Sequence, residues 1–363
     1  MVTFIGPVLP RLSEEFTLTP DLVGTMVGLC SIGGLTAILG GWVSDKVNRV
    51  LISAISMAAL ALGSLIIGLA PNLYAVGFSL ILMNIAAGFL ESSLNAFVSN
   101  LYPEKRGLSV NLLHIGWNVG SALGPSFAAL IIVITGSWRR TYFFPVPALI
   151  FISVLLARLN KNSTKSSSGD APLHSPVSIS AKSISRFLPI ASIGFFYVAA
   201  EMGINTWLAF ILENLGSTVF EAGLTTGLYW GFMGIGRLIW APATDKIGYG
   251  KSVIAASSSA LTCMIAATLP LPLHIKMMLW IFSGFFLAPI FPTLIAWGTS
   301  INPSSGGTIS GLVFTLGTLG LFSSTSLAGL VAAFSGIKVA QYVFVFFASA
   351  MLINALVVHV LLK

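Results

Sequence analysis

Two carboxylates interrupt long apolar stretches of this sequence. Glu91 and Glu201 are each followed four residues later by an amide, Asn95 and Asn205. On a helix, residues four apart share a face, so each pair presents a carboxyl group beside an amide. Such a face can take up a proton and hydrogen-bond the hydroxyl groups of a polar solute. The spacing therefore predicts proton-coupling acids at Glu91 and Glu201 and solute-binding amides at Asn95 and Asn205.

A third polar stripe runs through residues 111–118. Asn111, His114 and Asn118 follow one another at spacings of three and four, which also places them on one helical face. We expect Asn111 and Asn118 to bind the solute. His114 is predicted to couple protons, and the alternative, a purely structural hydrogen bond from its ring, stays open.

Aromatic side chains can complete a site for a sugar, because the face of a pyranose stacks on a ring. The candidates on suitable stretches are Trp117, Tyr197, Trp207, Trp230 and Trp297. The chain is 11% aromatic, so packing against lipid or core is the alternative for each of these side chains.

The elements that position these residues must be membrane helices. The 363-residue chain is 56% hydrophobic and only 8% charged, and its mean hydropathy is +0.94, a composition that favours a lipid bilayer as its solvent. At the bilayer centre a carboxylate costs on the order of 2.5–3.5 kcal/mol, so Glu91 and Glu201 are functional candidates. The structural alternative is a protonated acid that is hydrogen-bonded to a neighbouring helix.

The apolar stretches predict an all-α polytopic membrane protein, because each is long enough to cross the bilayer. The expected spans, numbered 1 to 12, are 1–13, 20–43, 50–70, 74–101, 108–134, 140–158, 187–213, 220–243, 251–270, 275–300, 306–334 and 338–362. A Ser-rich polar segment separates six spans from six. The predicted domains are an N-terminal six-helix bundle (1–158), a cytoplasmic linker (159–186) and a C-terminal six-helix bundle (187–363).

The distribution of basic residues predicts the orientation. Lys and Arg concentrate in the loops on one side, while Arg237 falls inside a span. By the positive-inside rule, both termini are cytoplasmic and the chain lies in the cell membrane. This bias also accounts for the net charge of +7 without a nucleic-acid partner. Cys30 and Cys263 both fall in apolar stretches, so they indicate no disulfide or metal framework. We expect a monomer without cofactor or metal.

A charged turn occurs twice, which indicates an internal repeat. Several residues recur 200 positions later, namely Asp45 and Asp245, Lys46 and Lys246, Pro103 and Pro303, and Gly107 and Gly307. Two equivalent six-helix halves around a central site are a known transporter architecture. The alternative is a receptor or scaffold with two similar loops. Since span 7 begins near 187, the repeat also predicts a truncated first helix and a start upstream of Met1.

The repeated turn is predicted to act in gating. Asp45 and Asp245 follow spans 2 and 8, and a carboxylate there can bind the N–H groups at the start of a facing helix. The gating residues we expect are Asp45, Lys46, Arg49, Asp245 and Lys246. Glycines at four-residue spacing in spans 2, 5, 8 and 11 predict close helix approaches, at Gly24/Gly28, Gly116/Gly120/Gly124, Gly223/Gly227/Gly231 and Gly307/Gly311.

The turn "GGWVSDKVNR" (40–49) resembles the Gly-x-Leu-Ala-Asp-Arg-x-Gly-Arg-Lys loop of the major facilitator superfamily. Four further stretches look like one family of that superfamily, the fucose permease and sugar–proton symporter family. They are "GFLESSLNAFVSNL" (88–101), "NLLHIGWNVGSALGP" (111–125), "FFYVAAEMGINTWLAFIL" (195–212) and "GFFLAPIFPTLIAW" (284–297). The resemblance implies the major facilitator fold, with two six-helix bundles related by a pseudo-two-fold axis. Glu91 then matches the family's carboxylate on span 4. Gly6 is a departure, because it stands where the fucose permease has an aspartate.

We therefore expect a secondary active transporter rather than an enzyme. It is predicted to move a small polar solute, a sugar first of all, by proton-coupled symport with alternating access. Two alternatives stay open, namely a proton-driven exporter of a small organic molecule and a membrane nutrient sensor that does not transport.

Overall fold

The computed structural model of this chain describes residues 2–36, 39–40, 43, 47–101, 106–163, 181–301 and 306–362. Within these ranges the secondary structure is helical and contains no strand. We number the α-helices α1 (Ile5–Glu15), α2 (Pro20–Ser31), α3 (Arg49–Leu69), α4 (Leu73–Leu101), α5 (Arg106–Thr135), α6 (Trp138–Phe143), α7 (Val146–Ser163), α8 (Ala181–Asn214), α9 (Val219–Ile247), α10 (Tyr249–Thr268), α11 (Leu273–Leu287), α12 (Ile290–Ile301), α13 (Gly306–Ser335) and α14 (Gln341–Leu361). Short 3₁₀ turns occupy Val2–Phe4, Ile32–Thr36 and Ile337–Ala340.

Helix length and composition identify a multi-pass membrane protein. Nine helical segments of the described ranges are long and apolar enough to cross a bilayer. They coincide with predicted spans 3 to 7 and 9 to 12. The prediction of an all-α membrane protein is confirmed.

Two predicted spans are each divided into two helices. The spans expected over 140–158 and 275–300 are confirmed as membrane-crossing segments, Trp138–Asn160 and Leu273–Ile301, but each contains an interruption, because α6 ends before α7 begins and α11 ends before α12 begins. The turns between them contain Pro145 and Pro289. A proline has no N–H to donate to the helix, which explains the interruption, while Phe144 and Ala288 before the two prolines keep right-handed α dihedrals.

Side-chain caps fix the starts of two helices that follow turns. The Asn48 side chain accepts hydrogen bonds from the backbone N–H groups of Val50 at 2.9 Å and Leu51 at 3.4 Å, which begins α3. At α9, Thr218 accepts from the Glu221 N–H at 3.2 Å, and the Glu221 carboxylate accepts from the Thr218 N–H at 2.8 Å. This reciprocal pair is a capping box.

The helix boundaries repeat with the spacing seen in the sequence. The starts of α3 and α10, of α4 and α11, and of α5 and α13 are each 200 residues apart. The ends of α4 and α12 and of α5 and α13 keep the same offset. The repeat is therefore a repeat of helices as well as of residues, although the predicted domain boundaries themselves stay a prediction.

The chain forms two compact units. The first comprises Met1–Gly28, Asn118–Gly136 and Ile179–Lys363. Its centre is α8, whose side chains are buried on several faces by α1, α9, α13 and α14. A helix that is apolar on all faces belongs in the interior of such a unit. The candidate site described below lies along α8.

The second unit comprises Leu29–Trp117 and Ser137–Ser178. Buried hydroxyl groups join its helices: Ser53 and Ser93 lie 3.0 Å apart, and Ser79 donates to the Gly63 carbonyl at 2.5 Å. Arg139 donates to the Ala70 carbonyl at 2.7 Å. These bonds tie α3 to α4 and to α6.

Glycines of the first unit allow helices to touch backbone to backbone. A Cβ added at Gly24 would lie 2.9 Å from the Cα of Gly329, and one at Gly28 would lie 2.7 Å from the Ser326 hydroxyl. A Cβ at Gly227 would lie 2.5 Å from the Ala122 carbonyl. The predicted close approaches are confirmed at these positions, whereas a Cβ at Gly120 would meet nothing within 4 Å.

Candidate functional site

Glu201 lies near the middle of α8 with its side chain out of solvent. The residue is only 4% exposed. The hydroxyl of Tyr197, one turn earlier, donates a hydrogen bond of 2.5 Å to its carboxylate. The Tyr229 hydroxyl, on α9, donates to the Glu201 backbone carbonyl at 3.4 Å. The structure thus brings together two of the predicted residues, one proton-coupling and one solute-binding.

Arg237, on α9, is the residue that the sequence analysis left without a function. Its Nη1 donates to the Asn118 Oδ1 at 2.9 Å, and its Nη2 lies 3.9 Å from the Met233 sulfur. Its guanidinium also attracts the Glu201 carboxylate and interacts with the Tyr197 hydroxyl. A lone cation within an apolar span was the signal in the sequence.

We call Tyr197, Glu201, Arg237 and Asn118 the polar cluster, in which Arg237 is half-buried and the other three residues are buried. It joins α5, α8 and α9 and contains one acidic and one basic side chain. Opposite charges attract each other more strongly in a medium of low dielectric constant than in water. The carboxyl group can hold or release a proton, and the guanidinium can donate to an anion. Within the described ranges, no group of three or more His, Cys, Asp or Glu side chains is placed to bind a metal.

Asn205 and Trp230 satisfy each other's polar atoms. The Trp230 Nε1–H donates to the Asn205 Oδ1 at 2.8 Å, and both residues are buried. Both were predicted to bind solute, and the structure gives each a partner on the other helix. Trp207 is also fully buried and stacks on Phe210, with 6.0 Å between ring centroids and 3° between ring planes.

The backbone around Asn205 also excludes a side chain at Gly6. A Cβ added there would lie 2.7 Å from the Asn205 carbonyl oxygen. The aspartate that the resemblance expects at this position has no room next to α8. Gly6 therefore allows close contact between α1 and α8 at a position where an acidic side chain would not fit.

Trp297 lies at a different place in the first unit. It packs 6.4 Å from the His359 ring and lines a cavity of about 290 Å³ at the turn between α9 and α10. Tyr249, Lys251 and Ser300 line the same cavity. The prediction that Trp297 joins the other aromatic candidates in one site has no support in these contacts.

Glu91, Asn95 and Trp117 belong to the second unit. Glu91 is half-buried on α4, and within the described ranges no side chain donates a hydrogen bond to it. Asn95, one turn later, is also half-buried, and Trp117 is 40% exposed on α5. Glu91 and Glu201 thus differ in surroundings, since Glu201 has a hydroxyl donor and a nearby cation.

The remaining predicted residues are only partly described. Asp45 and Lys46 lie outside the described residues, as do the side chains of Asn111, His114 and Asp245. Arg49 begins α3 with a half-buried side chain. Lys246 is exposed in the last turn of α9, where a cation is favoured by the helix dipole.

Known proteins resemble this chain over most of its length. The sequence model of the Major Facilitator Superfamily matches residues 1–325. The gentisate transporter of Corynebacterium glutamicum is 25% identical over 99% of this chain and 83% of its own. The fosmidomycin resistance protein of Escherichia coli is 27% identical over 86% of this chain and 78% of its own.

A solved structure matches the fold. The crystal structure of a bacterial homolog of the human lysosomal transporter Spinster, inward-facing and occupied, has a TM-score of 0.76 to this chain. It covers 98% of this chain and 91% of its own, with 15% sequence identity. At this identity the likeness concerns the fold alone.

Proposed function

Because the chain belongs to the Major Facilitator Superfamily, and is therefore a membrane transporter rather than an enzyme, we propose that it is a proton-coupled secondary transporter. It moves a small polar solute by symport with alternating access, and sugars are the first class to test. It lies in the cell membrane with both termini in the cytoplasm. Its fold is the all-helical major facilitator fold.

The observation that carries this proposal is the environment of Glu201. A carboxyl group that is 4% exposed, in the middle of an apolar helix, has to be neutralised by a proton or by a cation. The cluster allows both, because the Glu201 carboxyl group can be protonated and the Arg237 cation attracts its charged form. A group that exchanges one form of neutralisation for the other can couple proton binding to solute binding.

Contacts at one end of the first unit support alternating access. Arg11 on α1 pairs with Glu213 at the end of α8, and Gly24 near the start of α2 touches Gly329 on α13. In the predicted topology all four residues lie at the external side. We propose that these contacts close that side and that they separate when the transporter faces outward.

Glu91 is the second proton-coupling candidate. It lies on α4, in the second unit, and is half-buried. Without a hydrogen-bond donor among the described residues, it resembles an acid that is exposed to the solute pathway more than one that is fixed in a network. We propose that Glu91 and Glu201 have separate functions, and that Glu201 alone is coupled to Arg237.

The experiment is uptake into liposomes that contain the purified protein. Labelled sugars are offered with an inward proton gradient, and accumulation is compared with exchange at equal concentrations. Glu201→Gln keeps the size and hydrogen bonding of the side chain but cannot carry a proton. We expect it to abolish accumulation while exchange persists.

Matched variants complete this experiment. Glu91→Gln tests the second acid in the same way, and Glu14→Gln, an exposed acid on α1, is the control for loss of a carboxylate. If Glu201→Gln still accumulates solute against its gradient, Glu201 is not the coupling group. If exchange is lost together with accumulation, the side chain is needed for binding or folding instead.

Export is the second candidate function, because a relative that is 27% identical is named for fosmidomycin resistance. The same liposomes distinguish the two directions of coupling. A symporter accumulates solute on the side toward which protons flow, and an antiporter accumulates it on the opposite side. Reversing the pH gradient must therefore reverse the direction of accumulation in either case, which is the internal control.

A further inference from the structure

The guanidinium of Arg237 has donors that the described protein does not use. An arginine has five N–H groups in one plane. Nη1 donates to Asn118, and Nη2 is directed to the weakly accepting sulfur of Met233. Its Nε is buried and has no hydrogen-bond partner among the described residues. Buried N–H groups normally donate a hydrogen bond, so we expect the Nε–H to have an acceptor when the protein is at work.

The ligand that fits such an arrangement is an anion with two oxygen atoms in a plane. A carboxylate accepts two parallel N–H bonds from one edge of a guanidinium, and a phosphonate can do the same. The hydroxyl groups of a neutral sugar can accept a hydrogen bond but leave the positive charge uncompensated. Asn118 accepts from Nη1, so Nε and Nη2, which has only the weakly accepting Met233 sulfur beside it, are the donors left for a ligand.

We propose that the transported solute is an organic acid and that Arg237 binds its anionic group. This inference rests on the proposed transport function and specifies its substrate class. A sugar acid and an aromatic acid both carry such a group. The gentisate transporter among the relatives, named for an organic acid, supports this class of solute.

Glu201 interacts electrostatically with the same cation. The titratable groups that interact with it among the described residues are Tyr197, Tyr229 and Arg237. When Glu201 carries its charge, it attracts the guanidinium; when it is protonated, the solute anion takes its place. A proton and an anion therefore bind together, which avoids an uncompensated charge in the membrane interior.

The test uses pairs of compounds that differ mainly in one acidic group. Purified full-length protein in liposomes is offered labelled galacturonate or galactose, and gentisate or hydroquinone, at equal concentrations. We expect at least one acid to bind about 10-fold or more tightly than its neutral partner, the ratio that corresponds to one good charge-assisted contact. Arg237→Gln is expected to remove that preference.

Three variants separate binding from folding. Arg237→Lys keeps the charge but loses the planar donors, so it should retain only part of the preference. Asn118→Ala keeps the guanidinium but frees its orientation, and it should weaken acid binding less than Arg237→Gln. Lys338→Gln removes an exposed cation and is the control that should change nothing. Monodisperse elution and the thermal midpoint report whether each variant folds.

The outcomes are distinct. Equal binding of acid and neutral partner, or unchanged acid preference in a folded Arg237→Gln protein, overturns the inference. Uptake of neutral sugars with no binding of any acid overturns it too, yet leaves the proposed symport standing. If neither acids nor neutral compounds bind or move, both the inference and the proposed function fail.

Discussion

The guanidinium of Arg11 and the carboxylate of Glu213 form an ion pair of 2.8 Å that joins α1 to the end of α8. Their side chains are 27% and 12% exposed, so the pair is partly buried. Arg11 also contacts Glu14 at 3.0 Å, a residue on its own helix that is 69% exposed. Arg11 is therefore paired with two carboxylates, whereas Glu213 is paired with one cation. Because of this difference, we expect substitutions of Arg11 and of Glu213 to differ in their cost to stability.

Arg11→Gln is expected to lower stability more than Glu213→Gln. The first leaves two acids without their cation, one of them poorly solvated, whereas the second leaves Arg11 still paired with Glu14. The expected cost of Arg11→Gln is about 1–3 kcal/mol, between the values for exposed and buried pairs. Thermal unfolding in detergent measures it, and Glu14→Gln is the control with little effect. Equal losses for Arg11→Gln and Glu213→Gln would contradict the expected difference.

Gly6→Ala is expected to destabilise the protein by about 1–3 kcal/mol, because the new methyl group meets the Asn205 carbonyl. Gly120→Ala adds the same group where nothing lies within 4 Å. Since alanine favours a helix by about 1 kcal/mol over glycine, that control should be neutral or stabilising. The comparison of the two thermal midpoints tests the close approach of α1 and α8, and a neutral Gly6→Ala would show that α1 lies further away.

Trp230→Phe is expected to cost more than Trp207→Phe. Both substitutions remove a similar volume from a fully buried position. Only the first breaks a hydrogen bond and leaves the buried Asn205 oxygen without its donor, a penalty of about 1–3 kcal/mol. The Trp207 Nε1 has no hydrogen-bond partner among the described residues. Unfolding of both variants measures the difference in the free energy of unfolding. A larger loss for Trp207→Phe than for Trp230→Phe would contradict the prediction.

Gly329→Val is expected to keep α13 away from α2, because its side chain would meet the Pro20 carbonyl and the Gly24 backbone. Transport should fall by at least about 10-fold while the protein still folds, since one closed state is lost. In a protein with Cys30 and Cys263 replaced by serine, a cysteine at Ser326 should react faster with a membrane-impermeant thiol reagent.

Gly311→Val is the control for this gate, because a Cβ there meets nothing within 4 Å. It places the same branched side chain on the same helix. If labelling at position 326 is unchanged in Gly329→Val, or rises equally in both variants, the contact between α2 and α13 does not form a gate.

The helices and their repeat were predictable from the sequence for a simple reason. Lipid forces every span to satisfy its own backbone, so hydropathy alone locates the helices, and the 200-residue offset relates one half to the other. The breaks at Pro145 and Pro289 were missed because the stretches around them are uniformly apolar. The two prolines were visible, but hydropathy outweighed them in assigning a single helix.

The site was predicted less completely. Tyr197 and Glu201 are one turn apart on one helix, so their contact follows from spacing. Arg237 and Asn118 are 119 positions apart, and their hydrogen bond depends on how α5 and α9 pack. Residue types alone indicated that a charge within a span needs a partner, but they could not choose Asn118. The superfamily was predicted correctly, whereas the fucose permease subfamily stays a prediction.

The division of the span 273–301 at Pro289 has a consequence for how the protein enters its membrane. The two parts, α11 and α12, have 15 and 12 residues, or about 22 Å and 18 Å of helix. Neither reaches across a hydrocarbon core of about 30 Å, so neither is a stable insertion unit by itself. Only the whole segment Leu273–Ile301 is long enough to cross the membrane, so both pieces have to enter the lipid together.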